Sequence, residues 1–183
     1  VPLIVDEAHG AHFMFSKKFP APALRCGADV VIQSLHKTLP CLTQAALLHV
    51  NSKRIDKNFL KRFLGIYQTS SPSYLLMASI DKCIREESAP RMTEFTQLLA
   101  KFYHKSEALR RLKVFSPSSC PPESCFAHDF SKILISVGRT GLTGKELYDS
   151  LLQTYHLQME MSSGHYVTAL TSLMDTKEGL QRL

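Results

Sequence analysis

A carboxylate and an amine stand at the ends of two short apolar runs. Val1-Pro-Leu-Ile-Val5 ends in Asp6, and Ala28-Asp-Val-Val-Ile32 leads through Gln33, Ser34, Leu35 and His36 to Lys37. Short β-branched runs bounded by polar residues are the pattern of buried parallel strands. In open α/β sheets, ligands sit beyond the carboxyl ends of strands, so both residues are expected at a site. A lysine delivered there can condense with an aldehyde cofactor, since partial burial and nearby positive charge free its amine to act as a nucleophile. Most lysines are solvated surface charges, and spacing alone leaves that alternative open.

A pyridoxal 5'-phosphate enzyme makes two demands at once. It needs a lysine to hold the cofactor as a Schiff base and a carboxylate to keep the pyridine nitrogen protonated, so that the ring draws electrons from the substrate Cα. Asp6 and Lys37, in adjacent loops, meet both demands. Ser34 and His36 could donate hydrogen bonds to the cofactor phosphate.

The positioning elements follow from periodicity. Residues 1–5 and 28–32 read as strands, and Thr43–Val50 as a neighbouring, antiparallel third. Arg54–Tyr67 places Ile55, Phe59, Leu60, Phe63 and Leu64 on one helical stripe. Ser71 is a candidate N-cap with Pro72 at the first helical position of a helix over Tyr74–Ile84. Pro90 is expected to kink or restart it. Met92–Leu112 reads as one long amphipathic helix with Phe95, Leu98, Leu99 and Phe102 on one face. Beyond the Ser116–Pro122 loop the pattern alternates. A strand is expected at Lys132–Val137, then a helix opened by the Thr143-Gly-Lys-Glu146 capping box and buried through Leu147, Leu151, Leu152 and Tyr155. Short strands at Gln158–Met161 and Tyr166–Leu173 precede a second capping box, Asp175–Glu178. The chain opens at Val1 inside a strand and closes at Leu183 inside a helix, so a piece of a longer protein is expected.

Composition narrows the function classes. Across 183 residues the content is 44% hydrophobic and 21% charged, a globular and not a disordered balance. No run reaches the roughly eighteen apolar residues of a membrane helix, and no signal-peptide pattern opens the chain, so a cytoplasmic protein with no membrane partner is expected. The net charge of +6 is scattered in small groups such as Lys53-Arg54 and Lys61-Arg62, without the basic stripe and interleaved aromatics of a nucleic-acid surface. Five cysteines form no CxxC pair, which favours reduced thiols. Cys120, Cys125 and His128, or His9 and His12, lack the further ligands of a metal site, so no metal is expected.

The stretch Gln33-Ser-Leu-His-Lys-Thr-Leu-Pro-Cys-Leu-Thr-Gln-Ala-Ala46 resembles the cofactor-lysine signature of the bacterial ornithine, lysine and arginine decarboxylases, which are fold type I, aspartate-aminotransferase-like enzymes. Pro40-Cys41 departs from the small residues usual in that signature. Asp6-Glu-Ala-His9, Thr69–Ser79 and Leu157–Met161 also resemble segments of this group. The resemblance implies an α/β fold: residues 1–85 as part of the large cofactor-binding domain, 86–113 as a connecting helix and 114–183 as part of a small α+β domain. It implies pyridoxal 5'-phosphate held by Lys37, with Asp6 on the pyridine nitrogen and Ala8 against the ring. His9 would lie near the ring hydroxyl or substrate, as a catalytic group beside Lys37, and Ser34 and His36 would contact the phosphate. It further implies decarboxylation of a basic amino acid to a polyamine-type amine, in a homodimer whose active site lies at the interface near Ser71, Ser73 and Tyr74. Glu160 reads as an exposed strand residue.

Two alternatives accompany this expectation. An aminotransferase or aldolase would share the same ring and lysine motifs. Leu3-Ile-Val-Asp-Glu-Ala-His9 also matches the magnesium-binding strand of a DEAH-type helicase, but Ser34-Leu-His-Lys37 stands where a Ser/Thr-Ala-Thr segment would be required. The phosphate-binding and ring-stacking residues of a complete site would lie upstream of Val1, so the 183 residues alone are expected to be inactive.

Overall fold

A computed structural model describes residues 1–86 and 88–183. Glu87, inside the expected connecting helix, lies outside the described residues. The chain divides into two compact units, residues 1–17 with 21–91 and residues 18–20 with 92–183.

The first unit is built on a three-stranded sheet. Strand β1 (Ile4–Asp6) pairs in parallel with β2 (Val30–Ser34), and β2 pairs antiparallel with β3 (Ala46–Val50). Register sets Asp6 beside Ile32 and Val5 beside Val31. Side chains alternate across a sheet, so Val5, Val31 and Gln33 share one face while Asp6, Ile32 and Ser34 share the other. The first face is covered: Val31 and Gln33 are buried, whereas Asp6 and Ile32 are exposed. Strand β2 begins and ends two residues later than the apolar run suggests, although the backbones of Leu3 and Asn51 still pair with that of Asp29. The Asp29 carboxylate accepts the Leu3 amide at 2.8 Å and faces Arg54 at 3.4 Å.

Helices complete this unit. Helix α1 is a single turn (Leu35–Thr38). Helix α2 (Lys57–Tyr67) is capped by Asp56, whose carboxylate accepts the Asn58 and Phe59 amides. Its apolar stripe is present but uncovered, with no residue buried and Phe59 and Phe63 exposed. Helix α3 (Tyr74–Glu86) starts where expected, but Ser73, not Ser71, takes the capping role: its hydroxyl accepts the Leu76 amide. The Ser71 amide is instead turned onto the Thr69 hydroxyl.

Helix α4 (Ser88–Ser106) begins just before Pro90, so the proline falls in a first turn where its missing N–H is harmless. Met92, Phe95 and Leu99 form its buried stripe. It stops well short of Leu112. Ser106 turns its hydroxyl back onto the Tyr103 carbonyl, and the next amides bond three residues back, a tightening that ends the helix.

In the second unit, β4 (Lys113–Val114), β5 (Lys132–Ser136), β6 (Met161–Ser162) and β7 (Tyr166–Leu170) form an antiparallel sheet in the order β4-β5-β7-β6. Ile133, Ile135, Val167 and Ala169 line its buried face. Helix α5 (Gly144–Tyr155) carries the expected capping box, and the Thr143 amide and hydroxyl hold the Glu146 carboxyl below the usual carboxylate range. Its buried side is narrower than the sequence implies: Leu147 is buried, but Leu152 and Tyr155 are exposed. Helix α6 (Lys177–Arg182) is capped by Thr176. Asp175 is displaced from that role because its carboxylate accepts the Ser172 amide. No helix among the described residues is long and apolar enough to cross a membrane.

Two outcomes test this packing. Gly144 lies where an added Cβ would stand 2.0 Å from the Ser163 carbonyl oxygen and 2.5 Å from that of Tyr166. Gly144→Ala should therefore cost the second unit about 3 kcal/mol in a denaturant melt, since backbone cannot yield as a side chain does. Asp29 has its carboxyl held below the ordinary range by hydrogen bonds from Ser52 and the Leu3 amide, with Arg54 adding to this against the opposing effect of burial. A depressed carboxyl stabilises the fold above its unfolded pKa and loses that contribution as pH falls through the folded one. The melting-temperature gap between the unsubstituted chain and Asp29→Asn should be widest at neutral pH and close below about pH 4.

Candidate functional site

The sheet delivers the expected residues to its exposed face. Beyond β1 the parallel ladder continues, with the Glu7 amide donating to the Ile32 carbonyl at 2.9 Å and the Ser34 amide to the Ala8 carbonyl at 3.3 Å. The chain then reverses in a tight turn closed by the Gly10 amide on the Glu7 carbonyl at 2.9 Å. That turn lifts Ala8 and His9 above the strand end. Asp6 is held by its own turn, its Oδ1 accepting the Ala8 amide at 3.0 Å.

Lys37 sits on the α1 turn, not in an open loop. The turn is fixed by one carbonyl, Ala45, which accepts the Leu35 amide at 3.0 Å and the His36 amide at 3.4 Å. The His36 ring adds a third contact through Nδ1 at 2.9 Å. Gln44, at φ 77°, turns the returning loop in the left-handed region so that this carbonyl meets the turn. Ser79 of α3 braces the same loop, its hydroxyl accepting the Leu42 amide at 3.0 Å and lying 3.4 Å from Cys41 Sγ.

Across the gap, Lys37 Nζ lies 3.3 Å from His9 Nε2. With Lys37 as an ammonium, which only donates, His9 Nε2 accepts and the ring carries its hydrogen on Nδ1. Asp6, His9 and Lys37 are exposed, and Ala8, Ser34 and His36 are half-buried. Because His36 Nδ1 faces a carbonyl it must donate, which leaves Nε2 as a lone pair in the neutral ring or a charged donor in the protonated one. Ser71, Ser73 and Tyr74 belong to the segment opening α3; the Ser73 hydroxyl is engaged by its cap and Tyr74 is exposed.

This donor set fits pyridoxal phosphate. It offers an exposed amine, a neighbouring carboxylate with one oxygen already oriented, a small apolar side chain at Ala8, and a hydroxyl and imidazole suited to a phosphate. Sequence reasoning overlooked Glu7, Gln33, Ala45 and Ser79. The signal for the first two was present, since a glutamate and a glutamine sit at buried parity in otherwise apolar strands. Ala45 and Ser79 act through a carbonyl and a distant helix, which leave no local pattern.

The chain has the fold of the fold type I enzymes. A lysine decarboxylase from Francisella novicida superposes with a TM-score of 0.78 at 18% identity, over 98% of this chain and 31% of that one. The profile of the Orn/Lys/Arg decarboxylase major domain matches residues 1–122, and the chain belongs to that family. An arginine decarboxylase of Bacillus cereus is 28% identical over 186 aligned positions, covering 100% of this chain and 40% of the relative. The uncharacterised protein YaaO of Bacillus subtilis is 52% identical over 82 residues, 44% of this chain and 17% of its own. The chain thus spans well under half the length of these curated relatives. Family membership overturns the helicase alternative for Asp6-Glu-Ala-His9.

Gly10 has no room for a side chain: a Cβ would stand 2.5 Å from Glu7 Cγ and 2.8 Å from the Phe13 ring. Gly10→Ala should reduce unfolding free energy by about 2 kcal/mol in a urea titration. An unchanged midpoint would show that the turn yields freely.

Proposed function

We propose that this chain carries part of the active centre of a pyridoxal 5'-phosphate-dependent decarboxylase acting on arginine, lysine or ornithine, releasing carbon dioxide and a polyamine-type amine. The observation that carries the proposal is the contact of Lys37 Nζ with His9 Nε2 at 3.3 Å, just beyond the ends of two parallel-paired strands, the first of which ends at Asp6. Family membership and the decarboxylases among the relatives support the reaction class. When bound, the cofactor supplies an electron sink for the negative charge left at Cα as carbon dioxide departs.

The chain's own residues do the rest. Lys37 would offer the amine that holds the cofactor, and its Nζ can give or take a proton. His9 Nε2 holds the Nζ hydrogens and so directs that amine. Asp6, oriented by the Ala8 amide, keeps a proton at the pyridine nitrogen by its negative charge. The Ala8 methyl leaves space for a flat ring to lie close to the backbone. Ser34 offers a hydroxyl, and His36, when its ring is protonated, offers its Nε2–H to the phosphate.

We assign residues 1–85 to the large domain, 86–113 to the connecting segment and 114–183 to the small domain. We also infer a homodimer with the site near its interface. The exposed apolar residues of α2 and α3, including Phe59, Ile66, Tyr74 and Leu75, support that assembly by offering side chains that an association surface would cover.

The test uses the protein that carries this chain at its full encoded length. With pyridoxal phosphate it should show the visible absorbance band of a lysine-bound cofactor and form amine from one of the three substrates. Lys37→Ala should abolish both. Band and amine surviving that substitution would sink the assignment, and keto-acid production in place of carbon dioxide would make the enzyme an aminotransferase.

A further inference from the structure

Directly behind Asp6, on the buried face of the sheet, lies a polar chain that the chemistry above does not use. Glu7 is 9% exposed and Gln33 4%. Glu7 Oε1 accepts the Ala23 amide at 2.7 Å, and Oε2 accepts the Gln33 side-chain amide at 2.5 Å. Gln33 Oε1 in turn lies 3.0 Å from His49 Nε2. A carboxylate only accepts, so Glu7 dictates which way the Gln33 amide points. With Nε2 turned to Glu7, the Gln33 oxygen faces His49, which must donate from Nε2. One carboxylate, just past the end of β1, therefore orients a largely buried hydrogen-bonded chain that runs through β2 to His49 of β3.

Glu7 also occupies a particular place in the backbone. Its amide extends the ladder to Ile32 and its carbonyl closes the turn that carries Ala8 and His9. Asp6 precedes it directly. Its side chain grips Gln33, in the strand that ends at Lys37. Removing a carboxylate from water is costly unless every oxygen is engaged, and here both are. The return on that cost is a fixed separation between the two halves of the site.

We propose that Glu7 is a positioning residue: acting through Gln33 and His49, its carboxylate sets the spacing between the Asp6–His9 turn and the strand bearing Lys37, and so the geometry in which the cofactor is held. This rests on the cofactor reading given above. The three residues touch no reacting group, so the effect is felt through Asp6, His9 and Lys37.

The test exchanges the two partners. Gln33→Glu sets two buried carboxylates against each other. The double variant Glu7→Gln with Gln33→Glu puts an amide donor opposite an acceptor again; Gln at 7 still accepts from Ala23, and Glu at 33 still accepts from His49. Cofactor dissociation constants and the pH profile of the visible band are measured on the full-length holoprotein, with thermal melts alongside. Gln33→Glu should weaken cofactor binding about tenfold or more and displace the band's pH profile, and the double variant should recover most of both. Unchanged affinity and pH profile in Gln33→Glu, or a double variant no better than the single one, overturns the proposal. Melts that follow the exchange while affinity and band stay flat overturn it too, by showing a purely structural role. Absence of the band in the unsubstituted protein would instead sink the cofactor reading, and this proposal with it.

Discussion

The parallel register of β1 on β2 is the constraint from which the site follows. Pairing Val5 with Val31 sends both valines to the covered face and turns Asp6 outward beside Ile32. A slip by one residue would bury Asp6 and expose its apolar neighbours, so hydrophobic burial on one face fixes the chemistry on the other. The ladder does not stop at the strand ends. It runs on through Glu7 and Ala8, and that continuation brings the His9 turn level with the helical turn of Lys37.

The lysine turn is held by different means. Four residues cannot sustain a helix on propensity, because nucleation costs more than one hydrogen bond returns. Leu35–Thr38 is helical because the Ala45 carbonyl accepts from its first residues and because the loop returning to β3 is braced on α3 by Ser79. The amine is thus placed by contacts far along the chain, while the carboxylate is placed by its own strand. The polar chain of Glu7, Gln33 and His49 links the two systems from behind.

Much of this was legible in the sequence, for identifiable reasons. The apolar runs ending at Asp6 and leading to Lys37 announced the two strands, and the threonine–glutamate spacing at 143 and 146 announced a helix start, because these signals are local. What escaped reading depends on competition between neighbours. Ser71 and Ser73 are equally good caps by type, as are Asp175 and Thr176, and the choice is made by which amide each side chain meets in three dimensions. The helix after Met92 ends at Ser106 without proline or glycine, through a hydroxyl that competes for a carbonyl. The stripe on α2 has helical periodicity but no cover within its unit, so amphipathicity gave the element and not its burial. The His9–Lys37 contact joins residues from different elements and was open to expectation only through the resemblance of both motifs to one family.

Whether Lys37 is the amine that holds the cofactor is decided by covalent trapping. The full-length protein is loaded with pyridoxal phosphate, reduced with borohydride, digested and mapped by mass spectrometry. A single phosphopyridoxyl label is expected, on Lys37. A label on another lysine, or none on a protein that still turns over its substrate, would contradict that assignment.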